Sequence, residues 1–361
     1  MKSVAGKNIT LALYGESHGH SIGVVVDGLP AGIKVDTDFV ASQLDKRRPK
    51  GKISTQRREG DEFSITSGVF NGYTTGTPVH ITIPNTQQKS SDYNQNLPRP
   101  GHADYTVHIK YGGFEDWRGG GHFSGRLTAP LVAAGAIVID MLKNKGITIG
   151  THIKKCQHIT DRDFENLADD IALCNEKYFA TLSEEAGRQM QQHIEKMAAD
   201  CDSTGGILET CVLGVPAGVG EPFFNSVESV VSSYLFSIGG VKGVQFGLGF
   251  GFADTTGSSA NDAFRMQEGR VVTATNNSGG INGGITNGMP IMIQTAMRPT
   301  PSIFRSQDTV NLDTMTDDTL TLAGRHDPAI FHRARVVVDS MVALALADLL
   351  VQRFGEGWFV Q

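Results

Sequence analysis

Residues 128–143 read Thr-Ala-Pro-Leu-Val-Ala-Ala-Gly-Ala-Ile-Val-Ile-Asp-Met-Leu-Lys, a helix-like run with almost no polar face. A helix that is apolar all round has no side to offer water, so the rest of the chain must wrap it. Thr128 is placed to cap it, and Pro130 falls in the first turn, where a missing N–H costs nothing. The uninterrupted apolar part, 129–142, is about 14 residues long, short of the roughly 20 that span a bilayer. The expectation is therefore a soluble protein with helices at its centre.

Shorter elements surround this run. Residues 8–13 and 22–27 read as strands, with turn chemistry at Gly28, Pro30 and Gly32. Strand-like runs follow at 207–215, 244–252 and 289–296. The stretch 161–202 reads as charged and helical, with Met190, Ile194, Met197 and Ala198 along one face. Val227, Val230, Val231, Tyr234, Leu235 and Ile238 share a stripe over 227–238. A last apolar helix is expected over 335–352, with Gly355 just beyond it. Strands and helices mix without the spacing of a doubly wound sheet, and no linker interrupts them.

The chain holds 43 glycines in 361 residues, about 12% against a usual ~7%. They are not periodic, which excludes collagen and leaves turns and backbone-lined binding loops. Histidine recurs inside these segments: His18 in GESHG, His102 in RPGHADY, His122 in RGGGHFSGR and His326 in GRHDP. Arg118, Arg126, Arg298 and Arg325 lie close to them in sequence. One histidine alone is more often structural. Four in one setting point to a single site built from distant loops, with imidazoles to move protons and guanidiniums to hold anions. The glycine pairs 239–240, 279–280 and 283–284, with Asn276, Asn277 and Asn282, are suited to amide-lined anion or ring-binding loops. Neither a dinucleotide fingerprint nor a phosphate-binding P-loop is present, and no metal-ligand spacing accompanies His18 and His20, so no metal is expected.

The formal charge of −6 disfavours nucleic acid as a partner. Residues 46–58 (KRRPKGKISTQRR) nevertheless carry seven basic side chains and no acid. Without aromatic residues to stack bases, the run reads as a positive lip for an anionic small molecule. The four cysteines lack Cys-x-x-Cys spacing, and no signal-peptide pattern opens the chain, so a reducing cytoplasm is expected.

Longer strings decide between enzyme families. GESHG with DGLPAG, TQRRE (55–59), GVFNGYTTGTP (68–78), RPGHADYT (99–106), KYG (110–112), VAAGA (132–136), GGINGGI (279–285), MRPTPS (297–302) and GRHDP occur in order and in one register. The chain resembles the chorismate synthase family from about residue 8 to 353. The resemblance implies a single α+β domain over 1–361, a β-α-β sandwich of antiparallel sheets around a central helical layer. It also implies loss of phosphate from 5-enolpyruvylshikimate 3-phosphate to give chorismate, the last step of the shikimate pathway. Reduced FMN is then obligatory without net redox change, and a homotetramer is the common assembly. NADPH would serve only as an indirect reductant through an external flavin reductase.

The family's roles carry over residue by residue. His18 would stand by the leaving phosphate, and His102 by the flavin ring. Asp327 would stand near flavin N5, helping it take up the carbon-6 proton. Ser17 and Ser124 would support proton traffic, and Arg47 and Arg126 would hold substrate anions. Flavin contacts would come from His122, Phe123, Ser124, Gly239, Gly240, Gly283, Arg298, Pro299, Thr300, Pro301, Ser302 and Arg325. Two departures stand out. The family's Arg-Ser-Ser-Ala-Arg-Glu-Thr appears as His122 to Thr128, and Lys-Pro-Thr-Ser-Ser appears as Arg298 to Ser302. The alternative is a catalytically inactive flavin- or phosphometabolite-binding relative.

Overall fold

A computed structural model of the chain describes residues 3–55, 60–86, 94–322 and 326–360. Two five-stranded antiparallel sheets enclose a layer of helices. The first sheet runs in the order Val4–Ala5, Thr10–Gly15, Ser21–Asp27, Val79–Pro84, Ser64–Ser67. The second runs Val241–Phe246, Ile291–Met297, Gly206–Leu213, Thr148–Cys156, Ile159–Thr160. The α+β sandwich with antiparallel sheets and central helices is thus present as expected.

The apolar run forms the helix Thr128–Lys143, which lies beneath the first sheet and packs along the helix Phe331–Phe354. Their backbones approach so closely that a Cβ on Gly135 would stand 2.2 Å from the Cβ of Ser340. Alanine there would force the two central helices apart, at about 1–3 kcal/mol. With its preceding turn the segment Gly125–Lys143 reaches 19 residues, long and apolar enough to cross a bilayer, yet 72% of its most apolar window is buried. It is a core helix. Thr128 is its first residue rather than its cap, because the hydroxyl donates back to Gly125 O (2.7 Å).

Phe331–Phe354 is buried at every position from Ala334 to Val351, including Arg335, Asp339 and Asp348. Each charge has partners: Asp339 accepts from Arg335 (3.2 Å) and from Thr151 (2.6 Å), and Asp348 from the backbone N–H groups of Lys7, Asn8 and Ile9. Buried charge is tolerable only when paired in this way. The helix starts four residues earlier than its apolar pattern, with Phe331 and His332 buried in its first turn and Arg333 beside them turned toward the site.

Other boundaries also moved. The 161–202 segment is two helices, Leu167–Glu176 and Glu184–Ala199, with Asp170, Ile171, Met190 and Ile194 buried and Ala198 exposed. Ser183 ends the gap by capping the second helix, accepting from Ala186 N–H (3.3 Å). The strand expected at 244–252 is Val241–Phe246, because Gly247 (φ 53°) and Gly249 (φ 50°) turn the chain into a short helical turn.

Candidate active site

The loops that carry the site project from the first sheet and the ends of the central helices. After strand Thr10–Gly15 the chain turns through GESHG before entering Ser21–Asp27. Ser17 N–H donates to Gly121 O (3.0 Å), which pins this turn to the RGGGHF segment. Gly119 and Gly120 both have positive φ (62° and 82°), a region that L side chains avoid. Their lack of side chains is also what makes room for the histidines. A Cβ on Gly119 would lie 2.6 Å from His18 Nε2 and 3.1 Å from Ser17 Oγ; one on Gly120 would lie 3.2 Å from His102 Cε1. His18 and His102 therefore flank two consecutive glycines. A cavity of about 570 Å³ opens on the His18 side, lined by His18, His20, Asn85 and Arg118. One of about 360 Å³ opens on the His102 side, walled by Leu97, Val107, Trp117, Phe123 and Leu322.

His18 and Ser17 are buried, and the Ser17 hydroxyl has no hydrogen-bond partner among the described residues. A buried hydroxyl of that kind is costly unless something else satisfies it. Asp116 lies close by; its hydrogen bonds from Arg118, together with the charge that His18 can carry, hold its carboxyl below the usual range.

His102 sits in a turn closed by its own N–H to Arg99 O (3.0 Å), just before the helix Asp104–Tyr111. Its Nδ1 is 2.6 Å from Asp104 Oδ1. Arg99 grips the same carboxylate through Nε (2.7 Å), NH2 (2.8 Å) and its backbone N–H (3.0 Å). Burial works to raise the Asp104 pKa, but the bonds from Arg99 and His102 outweigh it and hold the carboxyl far below its usual range. Arg99 also reaches Ser302 Oγ (3.4 Å), and Arg298 donates to Gly101 O (2.6 Å) and, from its backbone, to Gly240 O (2.9 Å). The 298–302 stretch and Gly240 thus join the His102 loop. In that stretch the Thr300 hydroxyl is buried without a hydrogen-bond partner among the described residues.

A second cluster lies below. Asp61 is buried, in the left-handed region (φ 49°), and accepts from Arg47 NH2 (2.9 Å) and from Arg126 NH1. Burial pushes this carboxyl upward, yet the two guanidiniums bring it net below the normal range. Arg126 also donates to Asn85 Oδ1 (3.1 Å) and Pro84 O (3.3 Å). Asn85 Nδ2 in turn holds Glu16 O (3.0 Å) and Gly19 O (2.9 Å), the two ends of the His18 turn. On the other side Arg333 donates to Arg47 O (2.8 Å) and to Asp327 Oδ2 (2.7 Å), while Thr55 N–H donates to Asp327 Oδ1 (2.8 Å). One hydrogen-bonded chain thereby links the His18 turn to Asp327.

The residues expected from the sequence are placed unevenly. Arg47 lies inside the protein at the end of helix Thr37–Arg47 rather than on an exposed lip, with its Nε unpartnered among the described residues. His122 has Nδ1 against Gly15 O (2.7 Å) and Nε2 against Ser3 Oγ (2.8 Å), so it braces the strand end, and Phe123 is the neighbour that faces the cavity. Ser124 Oγ accepts from Arg126 N–H (3.3 Å). His326 packs against Phe304, ring centroids 5.2 Å apart. Gly283 sits in a hairpin whose bonds run to Val219 and Val227, away from the histidine loops. Arg325 and residues 56–59 lie outside the described residues. Asp61, Asn85, Arg99, Asp104 and Arg333 escaped attention as site residues. Asp104 and Arg99 were visible inside RPGHADY; nothing local marks the other three.

An α+β sandwich with buried, paired guanidiniums and two histidines facing cavities defines an enzyme that handles an anionic metabolite. The family model for chorismate synthase matches residues 9–351. A chorismate synthase from Thermococcus gammatolerans is 44% identical over 350 residues, covering 96% of this chain and 97% of its own. One from Dehalococcoides mccartyi is 43% identical over 361 residues, covering 98% and 97%. A crystal structure of chorismate synthase superposes with a TM-score of 0.77 at 26% identity, covering 97% of this chain and 94% of its own. The chain belongs to the chorismate synthase family.

Proposed function

We propose that the chain performs the family's lyase reaction, the 1,4-elimination of phosphate and the carbon-6 proton from 5-enolpyruvylshikimate 3-phosphate to give chorismate. The observation that carries this reading to the residues is the placing of His18 against Gly119 and of His102 against the next residue, Gly120. His18 Nε2 donates to the departing phosphate or meets it as a cation, the kind of proton transfer that contributes roughly 10²–10⁴-fold. Arg47 and Arg126 supply the positive potential that draws the substrate's anionic groups inward. Asp327, held by Thr55 and Arg333, supports removal of the carbon-6 proton.

The pocket beside His102 suits a reduced flavin. Its walls are apolar over Leu97, Val107, Trp117, Phe123 and Leu322, and the unpartnered Thr300 hydroxyl lies in the adjoining stretch. Phe123, Gly240, Arg298, Pro299, Thr300, Pro301 and Ser302 would hold reduced FMN there. When bound it supplies electron density for the C–O cleavage and regains it, so no net oxidation occurs. His102, held at Nδ1 by Asp104, would offer Nε2 to the bound cofactor as the atom that exchanges a proton. We assign the remaining properties from the same family: one domain over 1–361, a cytoplasmic homotetramer, and an external flavin reductase with NADPH as indirect reductant. The exposed Phe223, Phe224, Phe250 and Met266 favour an assembly that covers them.

An anaerobic assay with chemically reduced FMN and 5-enolpyruvylshikimate 3-phosphate, followed by chorismate absorbance, tests the reaction. Product with reduced but not oxidised FMN is expected. Bound flavin without product would favour the inactive relative.

A further inference from the structure

We propose that Asp104, clamped by Arg99, is a positioning residue that fixes the His102 ring with Nδ1 protonated and Nε2 as the only atom that exchanges a proton. The inference rests on the proton-handling role given to His102 above. Nδ1 has two close neighbours, Asp104 Oδ1 at 2.6 Å and Arg99 NH2 at 3.1 Å. A bare Nδ1 lone pair would face a carboxylate oxygen with no hydrogen between two acceptors. A protonated Nδ1 donates to that oxygen instead, and the Arg99 NH2 is then directed to Oδ1 at 2.8 Å. The ring's other nitrogen is left beside Gly120, since a Cβ there would lie 3.6 Å from Nε2.

The carboxylate itself cannot swing. It accepts from three Arg99 donors and from His102, and Arg99 is tied through NH1 to Ser302 Oγ (3.4 Å). This resembles the use of a buried carboxylate to select a histidine tautomer in acyl-transfer enzymes, reached here within one turn of chain. Charged or titratable groups surround His102 from several elements among the described residues. Arg99 and Asp104 belong to its own loop, Arg298 reaches Gly101 from the 298–302 stretch, and His108, Glu115 and Asp116 line the same cavity. Of the two carboxylates across the cavity, Asp116 is hydrogen-bonded to Arg118 and Glu115 faces His108 (3.0 Å). Asp104 is the acid in direct contact.

The test is nitrogen NMR of the His102 ring in the purified full chain without flavin or substrate, with the signal assigned by its loss in His102→Gln. In the parent protein the neutral ring carries its proton on Nδ1. In Asp104→Asn, which keeps the shape and removes the charge, the preference for Nδ1 is lost, because an amide can donate to a bare Nδ1 as well as accept from a protonated one. Asp104→Glu moves the tautomer back toward the parent. An unchanged tautomer in a folded Asp104→Asn protein would overturn the proposal. Kinetics give the second arm: Asp104→Asn lowers kcat with little change in KM, and adding it to His102→Gln costs nothing further. Additive losses would show that Asp104 acts elsewhere. If His102→Gln alone keeps parental activity, the reaction role of His102 fails, while the NMR result still decides the positioning.

Discussion

His18 lies against Gly119 and His102 against the next residue, Gly120, with the glycine hydrogens occupying the space that side chains would take from each ring. Two loops more than eighty residues apart in sequence thus meet at one pair of glycines, where an added side chain would crowd one ring or the other.

Gly119→Ala is therefore expected to damage activity more than Gly120→Ala. Its methyl group would come within 2.6 Å of His18 Nε2, against 3.2 Å to His102 Cε1 for the other variant. Both carry a left-handed backbone, which costs an L residue about 1–2 kcal/mol, so stability should fall similarly in the two. Comparing kcat and melting temperature separates the effects; equal kcat losses would sink the steric account of His18.

His18→Ala should lower turnover by roughly 10²–10⁴-fold if His18 moves a proton to the leaving phosphate. Asn85→Ala should lower it by less, because that side chain acts by holding Glu16 O and Gly19 O. Steady-state kinetics on both variants checks the ranking, and a His18→Ala protein within about threefold of the parent contradicts the assignment.

Asp61→Ala leaves Arg47 and Arg126 buried without their shared counter-charge. Breaking such a pair typically costs about 3–5 kcal/mol, and denaturant unfolding at neutral pH should show a loss of that order. The Asp61 pKa is depressed on folding. Its contribution is thus complete above the unfolded value near 3.9 and fades as pH falls through the folded value. The difference between parent and variant should shrink in acid; a constant difference would mean the loss comes from packing.

Two buried histidines should give opposite pH slopes. His152 lies between Asp161 (2.8 Å) and Glu209 (2.9 Å); burial works against its charge, but these two bonds raise its pKa overall. It stabilises fully below the unfolded value near 6.5 and loses that contribution as pH rises through the folded one. His332, buried and facing Arg333, is pushed down to about 3. Its contribution is present above about 6.5 and is lost as pH falls toward the depressed value, because only the unfolded chain takes up the proton. The parent's advantage over His152→Gln should therefore shrink on the alkaline side, and its advantage over His332→Gln on the acid side.

Much of this was readable beforehand where physics is local. The apolar run at 128–143 demanded a buried helix, and the periodicity at 227–238 found the helix Val227–Phe236. Glycine-flanked histidines singled out His18 and His102. Less readable was any residue whose role depends on a distant partner. Arg47 looked like part of a surface lip because six other cations share its segment; Asp61, fourteen residues away, draws it inside. His122 carried the same glycine signature as His102, yet its ring nitrogens meet Gly15 O and Ser3 Oγ.

Read alone, the sequence determined the buried central helix, the loops that bear the chemistry and the family, while the layer order came only with the family resemblance. The first three follow from side-chain apolarity, turn-forming glycines and long unbroken motifs, all properties of neighbours along the chain. Only the tertiary structure decided which imidazoles face a cavity, which guanidiniums are already paired, and that Asn85, Asp61 and Arg333 join the His18 turn to Asp327. A hydrogen bond depends on two groups reaching about 3 Å with the right donor and acceptor, and for residues tens to hundreds of positions apart folding alone sets that distance.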